Sequence, residues 1–138
     1  MELLDLYALA EREDITVDCF DLEKRESLSV LDEDGRCYIA IDPMRLRSSV
    51  EEKDKLGHEM GHCCTGSFYN RFAACDVRQR HENRADKWEI EALVPREAFF
   101  AAVNQGVTEL WELAEYFEVT ERLMGKAMCW YKYGRLTA

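Results

Sequence analysis

One short stretch of the sequence has residue types and a spacing that can bind a metal ion. His58 and His62 stand four residues apart in the order HEMGH, with Glu59 directly after the first histidine. Residues four apart lie on one face of a helix, so both imidazoles can reach the same ion. Glu59, about 100° further round the helix, can reach a water molecule on that ion. The pattern predicts a metal site with Glu59 as its general base.

Two histidines are too few for a catalytic zinc site, which usually has three protein ligands and a water molecule. A third histidine at the metzincin spacing is excluded, because Phe68 occupies that position. The remaining candidates all follow the motif in sequence. They are Asp76, His81, Glu82, Asp86, Glu89 and Glu91.

Glu82 and Asp86 are the most informative of these candidates, because they stand four residues apart and share a helix face. Glu82 could bind the metal, while Asp86 accepts the N–H of a ligating histidine and fixes its tautomer. His81 is the rival ligand. Adjacent helical residues point about 100° apart, so only one of the two can face the histidines. The acid at Asp86 favours Glu82 as the third ligand.

These residues predict metal-assisted hydrolysis of an amide, most plausibly a peptide bond. A zinc-bound water has a pKa lowered toward neutrality, and Glu59 can take its proton as it attacks a carbonyl carbon. The same carboxyl can then protonate the leaving amine. Zn²⁺ is the expected metal, although such ligands also accept Mn²⁺ or Fe²⁺. Tyr69 or Arg71, in the loop after the motif, is a candidate to stabilise the tetrahedral oxyanion.

Composition limits the classes of protein that remain. A chain of 138 residues with 47% hydrophobic residues predicts one globular domain, 1–138. No apolar run is long enough to cross a membrane and none follows a basic N-terminal segment, so a cytoplasmic protein is expected. The net charge of −10 disfavours general binding to nucleic acid.

The six cysteines are irregularly spaced and include no CxxC pair, so a structural zinc ribbon is not predicted. Free, mostly buried thiols in a reducing cytosol are expected instead of disulfides. Cys63 and Cys64, directly after His62, are expected to be core thiols turned away from the metal.

The elements before the motif read as a short helix and a small sheet. The helix covers 2–12, and the runs rich in β-forming residues are 15–22, 28–31 and 37–41. An Asp-Gly turn lies between the last two runs, so a three-stranded, mainly antiparallel sheet is predicted. The strand Cys37–Ile41 is expected to offer a free edge to an extended peptide.

Helices are predicted for most of the remaining chain. Ser49 and Glu52 form a capping-box start for the motif helix. Gly57 and Gly61 within it each cost about 1 kcal/mol relative to Ala, which indicates that another backbone or a substrate comes close. A loop follows over 66–77. The later helices are predicted from 77 or 78 to 94, and over 96–104, 108–117 and 120–133, with Thr108 and Thr120 as N-caps.

Three features of the sequence occur together: HEMGH, then ENRAD about twenty residues later, then Leu93-Val94-Pro95. This combination resembles the ImmA/IrrE family of phage-associated metallopeptidases. Trp88 stands where that family usually has Phe, and Val94 where it often has Met, and neither change touches a ligand. The resemblance covers about 15–133, including the segment LAEYFEVT that begins at Leu113.

The resemblance implies an α+β, zincin-like fold with a metal site made by HExxH and ExxxD. The small sheet and metal-site helices would occupy 1–95, and C-terminal helices packed on them would occupy 96–138. It also implies a helix-turn-helix transcriptional repressor of a phage or mobile element as the protein substrate. The alternative is a regulator that binds a repressor or DNA without cleaving it. The intact Glu59 favours the enzyme.

The C-terminal helices also resemble a helix-turn-helix over 113–128. Their basic residues are Arg122, Lys126, Lys132 and Arg135. Packing on the core is the preferred interpretation, because the whole chain is acidic. Direct DNA binding is therefore not expected.

Overall fold

The computed structural model describes residues 1–69 and 73–137. This part of the chain forms an α+β fold with six α-helices and one three-stranded sheet. The elements are α1 Leu3–Arg12, β1 Thr16–Cys19, β2 Ser27–Leu31, β3 Cys37–Ile41, α2 Ser49–Thr65, α3 Cys75–Leu93, α4 Arg96–Asn104, α5 Leu110–Phe117 and α6 Glu121–Tyr133. In these residues, no helix combines the length and the apolar character needed to cross a membrane.

The sheet is mixed, with the strand order β1-β3-β2. β2 pairs with β3 in antiparallel fashion, as the Asp-Gly turn predicts, and Gly35 adopts a φ of 82° in that turn. β1 lies parallel to β3, so the mainly antiparallel prediction holds for only one of the two pairings. The pattern of residues identifies a strand, but it does not identify a partner that is distant in sequence.

The central position of β3 corrects the prediction of a free edge on Cys37–Ile41. One side of this strand pairs with β1 and the other with β2, so both edges are covered. Cys37, Ile39 and Ile41 point into the core, as the alternation of buried residues shows. Among the described strands, β2 has an open edge on the side away from β3.

Helix α2 carries the HEMGH motif, and its N-cap lies one residue before the predicted cap at Ser49. Ser48 is the N-cap, and its hydroxyl accepts a hydrogen bond of 3.3 Å from the Glu51 amide. The helix ends at Gly66, whose left-handed φ of 66° suits glycine. Neighbouring serines give the same sequence signal, which explains the shift of one residue.

The later helices follow their predicted order, with changes at their starts. α3 begins at Cys75, ahead of the predicted start at 77 or 78. Thr120 caps α6 by accepting a bond from the Leu123 amide, as predicted. Thr108 caps nothing, because Glu109 holds the N-cap position of α5 without a side-chain bond.

The buried apolar residues form one cluster that spans the sheet and the helices. Leu56 and Met60 of α2 are fully buried within it, and Leu113 and Leu123 bring α5 and α6 onto the same core. The packing interpretation of the C-terminal helices therefore fits the structure. Trp111 of α5 lies outside this core, with 55% of its surface exposed.

The cysteines differ from the expectation of free, buried thiols. Cys37 at the start of β3 and Cys63 near the end of α2 form a disulfide, with 5.9 Å between their Cα atoms. Cys64 beside them is free and exposed rather than a core thiol. Cys19 and Cys75 are also exposed. Sequence spacing gave no sign of the pair, because only the tertiary fold brings β3 against this end of α2.

Candidate metal centre

Helices α2 and α3 lie close together at the glycines of the motif. A Cβ atom added to Gly61 would lie 2.5 Å from the carbonyl oxygen of Ala85, and one on Gly57 would lie 3.0 Å from Leu93 Cδ1. The prediction that another backbone comes close at these glycines is confirmed for Gly61. This close approach sets Glu82, one turn before Ala85 on α3, opposite the histidines of α2.

Three side chains converge between the two helices. Nε2 of His58 lies 2.8 Å from one carboxylate oxygen of Glu82, and Nε2 of His62 lies 3.3 Å from the other. The two Nε2 atoms are 3.2 Å apart. The structure therefore brings together the three residues that the sequence predicts as metal ligands. Their donor atoms form one compact group that could hold a metal ion, and we call these three residues the metal group.

The outer nitrogens of both histidines are held by acceptors. Nδ1 of His58 lies 3.1 Å from an oxygen of Asp86, and Nδ1 of His62 lies 2.5 Å from the Ser67 carbonyl oxygen. A carboxylate and a carbonyl only accept, so both Nδ1 atoms carry hydrogen. In the neutral rings both Nε2 atoms then present lone pairs, as does Glu82. Three acceptors this close together are stabilised by a proton or a cation between them, and the two nitrogens and one carboxylate are ligand types that a divalent metal ion accepts.

The electrostatics of the group indicate the same need for positive charge. Burial opposes the charged form of His58, but its hydrogen bonds with Asp86 and Glu82 outweigh burial and raise its pKa to about 9. The pKa of His62 is also raised, because the bonds with Glu82 and Ser67 exceed the effect of burial. Burial opposes ionisation of Glu82, yet its bonds with His58, His62 and Tyr69 hold its pKa well below the usual range.

The predicted general base lies beside this group but is not one of its converging donors. Glu59 is 7% exposed and shares the wall of the cleft with the two histidines. The Ser27 hydroxyl donates a hydrogen bond of 2.7 Å to one oxygen of Glu59. The first residue of β2 therefore orients this carboxylate from the side opposite the helix.

Asp86 lies behind His58, in the place that the sequence predicts. Its side chain is nearly buried, and its second oxygen accepts a hydrogen bond of 2.7 Å from Lys126 of α6. Burial opposes its ionisation, but the bonds with His58 and Lys126 lower its pKa. The acid is therefore ionised and can hold His58 in the tautomer that a metal needs.

A buried pair of acids, Asp54 and Glu89, lies on the far side of His58. Asp54 accepts bonds from Thr120 at 2.8 Å and from Arg122 at 3.2 Å. Glu89 is fully buried, and among the described residues its oxygens meet no N–H or O–H donor. Burial, together with the charges of Asp54 and Asp86, raises its pKa well above the usual range. The neutral form of Glu89 is therefore favoured in the fold.

Sequence reasoning listed Glu89 among the candidate ligands but preferred Glu82, and it did not consider Asp54, although helical spacing gave a signal for both. Asp54 stands four residues before His58, and Glu89 stands three residues after Asp86. Asp54 therefore lies one turn from His58 on α2, and Glu89 lies one turn from Asp86 on α3. Glu89 Oε1 is 3.9 Å from His58 Nδ1, farther than the nearest oxygen of Asp86.

The other candidate residues lie outside the converging group. The ring of His81 stacks on Tyr69 at a centroid distance of 6.1 Å, and Asp76 and Glu91 are exposed. Tyr69 donates a hydrogen bond of 2.7 Å to Glu82, so in this arrangement its hydroxyl orients a candidate ligand. Arg71, the second candidate for stabilising an oxyanion, lies outside the described residues, as does Phe72.

Comparisons with protein-family models, with curated proteins and with solved structures gave no match to this chain. What the site does is therefore inferred from its own residues.

The metal group opens into a cleft of about 480 Å³. One wall is α2, with the histidines and Glu59, and another is formed by Ser27, Leu28 and Ser29 of β2. Phe68 and Tyr69 close a third side. An extended chain in this cleft would lie beside the open edge of β2 and against the metal group.

Proposed function

We propose that this protein is a metal-dependent endopeptidase whose metal, expected to be zinc, is held by His58, His62 and Glu82. The observation that carries the proposal is the convergence of two histidine nitrogens and one carboxylate. The outer nitrogen of each histidine is already occupied by an acceptor. A divalent ion in this position supplies the Lewis acidity that makes water a nucleophile near neutral pH. Two histidines and one carboxylate are the ligand types that such ions accept.

Glu59 has the position and surroundings of a general base in this proposal. It takes a proton from the attacking water and later passes it to the nitrogen of the leaving amine. The bond from Ser27 leaves the second carboxylate oxygen of Glu59 available for this transfer. The low exposure of Glu59 keeps bulk water from competing with that exchange.

The open edge of β2 supports an extended peptide as the substrate. Its backbone N–H and C=O groups are free to pair with a chain laid along the cleft. The strand begins at Ser27, which touches Glu59, so a peptide paired there has its backbone next to the proposed base. This strand takes the place of Cys37–Ile41, whose edges are both covered.

A helix-turn-helix repressor of a phage or mobile element is the proposed protein substrate. Support for it comes from the resemblance of HEMGH, ENRAD and Leu93-Val94-Pro95 to the ImmA/IrrE family, whose zincin-like fold is proposed for this chain as well. DNA as a direct partner is disfavoured by two contacts. Arg122 and Lys126, basic residues of α6, are engaged with Asp54 and Asp86.

The test is incubation of the purified, zinc-loaded protein with the repressor encoded beside its gene, followed by intact-mass measurement. Cleavage is expected with the parent protein and should stop when a chelator is added. Glu59→Gln should keep one metal ion per chain but lose cleavage, because it removes the base and no ligand. Cleavage by Glu59→Gln at the parent rate would contradict the role of Glu59. A repressor that binds but stays intact would favour the regulator that acts without cleavage.

A further inference from the structure

The opening of the cleft beside His58 and Glu59 carries three cations, on a chain that is acidic overall. Lys24, Arg25 and Lys55 line it, and Glu26 is its one acid apart from the proposed base and ligand. Lys55 pairs with Glu26 at 3.2 Å. Within the described residues, no carboxylate lies within 4.0 Å of Lys24 or Arg25. Because the lining has three cations and three acids, it is formally neutral on a chain of net charge −10, and Lys24 and Arg25 are its cations outside an ion pair.

The two cations stand where an extended substrate would pass. Lys24 and Arg25 shortly precede β2, and both are exposed. Burial and the bond to Glu82 raise the pKa of Tyr69, and the charge of Arg25 opposes that rise. Arg25 and Tyr69 therefore face a common space at the metal end of the cleft.

We propose that this cleft selects peptides with an acidic side chain close to the bond that is cut, and that Lys24 and Arg25 hold that side chain. The inference rests on the proposed peptidase function, because it names the substrate class of the same cleft. Alternate side chains of a strand paired with β2 point to one face, so one of them can reach the loop that holds Lys24 and Arg25. A guanidinium and an ammonium together suit a carboxylate, which can accept from both.

The overall negative charge of the chain predicts the opposite preference. Its field would favour basic peptides, but this field is screened over about 8 Å at physiological salt. Direct pairing with Lys24 and Arg25 acts at shorter range and is screened less. A preference for acidic peptides would therefore report the local cations rather than the net charge.

The experiment measures binding separately from cleavage. Zinc-loaded Glu59→Gln protein is titrated into two pools of fluorescent peptides that are randomised except at one fixed position, Glu in one pool and Lys in the other. We expect the Glu pool to bind about fivefold to tenfold more tightly by anisotropy. The additional double change Lys24→Ala with Arg25→Ala should abolish the preference. Lys132→Ala with Arg135→Ala is the matched control, because it removes the same charge away from the cleft lining.

Three results would overturn the inference: equal or tighter binding of the Lys pool, a preference that survives the Lys24 and Arg25 changes, or no binding of either pool at millimolar concentration. Incubation of the parent protein with both pools, read by mass spectrometry, separates the two proposals. Cleavage of both pools alike, without dependence on the two cations, overturns the acidic selectivity alone. Binding that depends on the cations, without cleavage of any peptide, overturns the peptidase alone.

Discussion

Lys126 donates a hydrogen bond of 2.7 Å to Asp86, whose other oxygen lies 3.1 Å from Nδ1 of His58. The last helix of the described chain thus reaches the metal group through one intervening carboxylate. Lys126 also supplies the positive charge that keeps this nearly buried acid ionised. The geometry makes Lys126 a positioning residue for His58.

Lys126→Met should therefore weaken zinc binding by about threefold to tenfold, because Asp86 loses its counter-charge and holds His58 less firmly. Competition with a chromophoric chelator measures this affinity. Lys126→Arg should restore part of it, and Lys132→Met, a change to an exposed lysine of the same helix, should leave it unchanged. An unaltered affinity in Lys126→Met would show that Asp86 acts without this lysine.

Changes at the ligand positions distinguish the residues of α3. Glu82→Ala should abolish tight zinc binding, because it removes one of the three converging donors. Asp86→Ala should weaken binding by about tenfold to a hundredfold, as expected for a carboxylate behind a ligating histidine. His81→Ala should leave the metal content unchanged. Elemental analysis after dialysis gives the comparison, and an empty site in His81→Ala beside a full one in Glu82→Ala would reverse the assignment.

Two glycine substitutions test the close approach of α2 and α3. Gly61→Ala should destabilise the protein by about 1–3 kcal/mol and weaken zinc binding, because the new Cβ meets the backbone at Ala85. Gly125→Ala, within α6, is the matched control, since its Cβ would meet nothing within 4 Å. The control should stabilise the protein by about 0.4–1 kcal/mol. Denaturant unfolding measures the change in the free energy of unfolding for both variants. Equal changes at the two positions would contradict the close contact between Gly61 and Ala85.

The buried acid Glu89 should make the stability of the metal-free protein depend on pH. Its pKa in the fold lies well above the ordinary value of 4.5, so folding takes up a proton between these two values. Its contribution to stability is complete below pH 4.5 and is lost as the pH rises through the raised pKa. Glu89→Gln has nearly the same shape and stays neutral at every pH.

Glu89→Gln should therefore melt at a higher temperature than the parent at about pH 8, and this advantage should shrink toward about pH 5. Circular dichroism at a series of pH values follows the transition. Glu91→Gln, at an exposed position of the same helix, is the control and should show no such trend. A lower melting temperature of Glu89→Gln at every pH would mean that Glu89 is ionised in the fold.

The sequence predicted most elements because their signals are local. The Asp-Gly turn, the β-forming residues of Cys37–Ile41 and the cap at Thr120 each depend on residues close together in the chain. The parallel pairing of β1 with β3 and the disulfide between Cys37 and Cys63 could not be predicted in this way. Both depend on how distant segments pack, which no short pattern records.

The metal group was predictable for a related reason. The three residues of this group, His58, His62 and Glu82, lie on two helices. The helical period of about 3.6 residues predicts which side chains share a face of one helix. That rule does not state which faces meet. The contributions of Ser27, Arg122 and Lys126 were therefore missed, since each comes from another element and acts on an acid of α2 or α3.

The place of Lys126 and Arg122 in the chain has a consequence for biosynthesis. Both cations are translated after Asp54 and Asp86, the acids that they neutralise. Until α6 has left the ribosome and docked, these acids lack Arg122 and Lys126 as counter-charges and stay hydrated, because burying them without those partners is costly. The order of translation therefore makes the candidate metal centre one of the last parts of the nascent chain to mature.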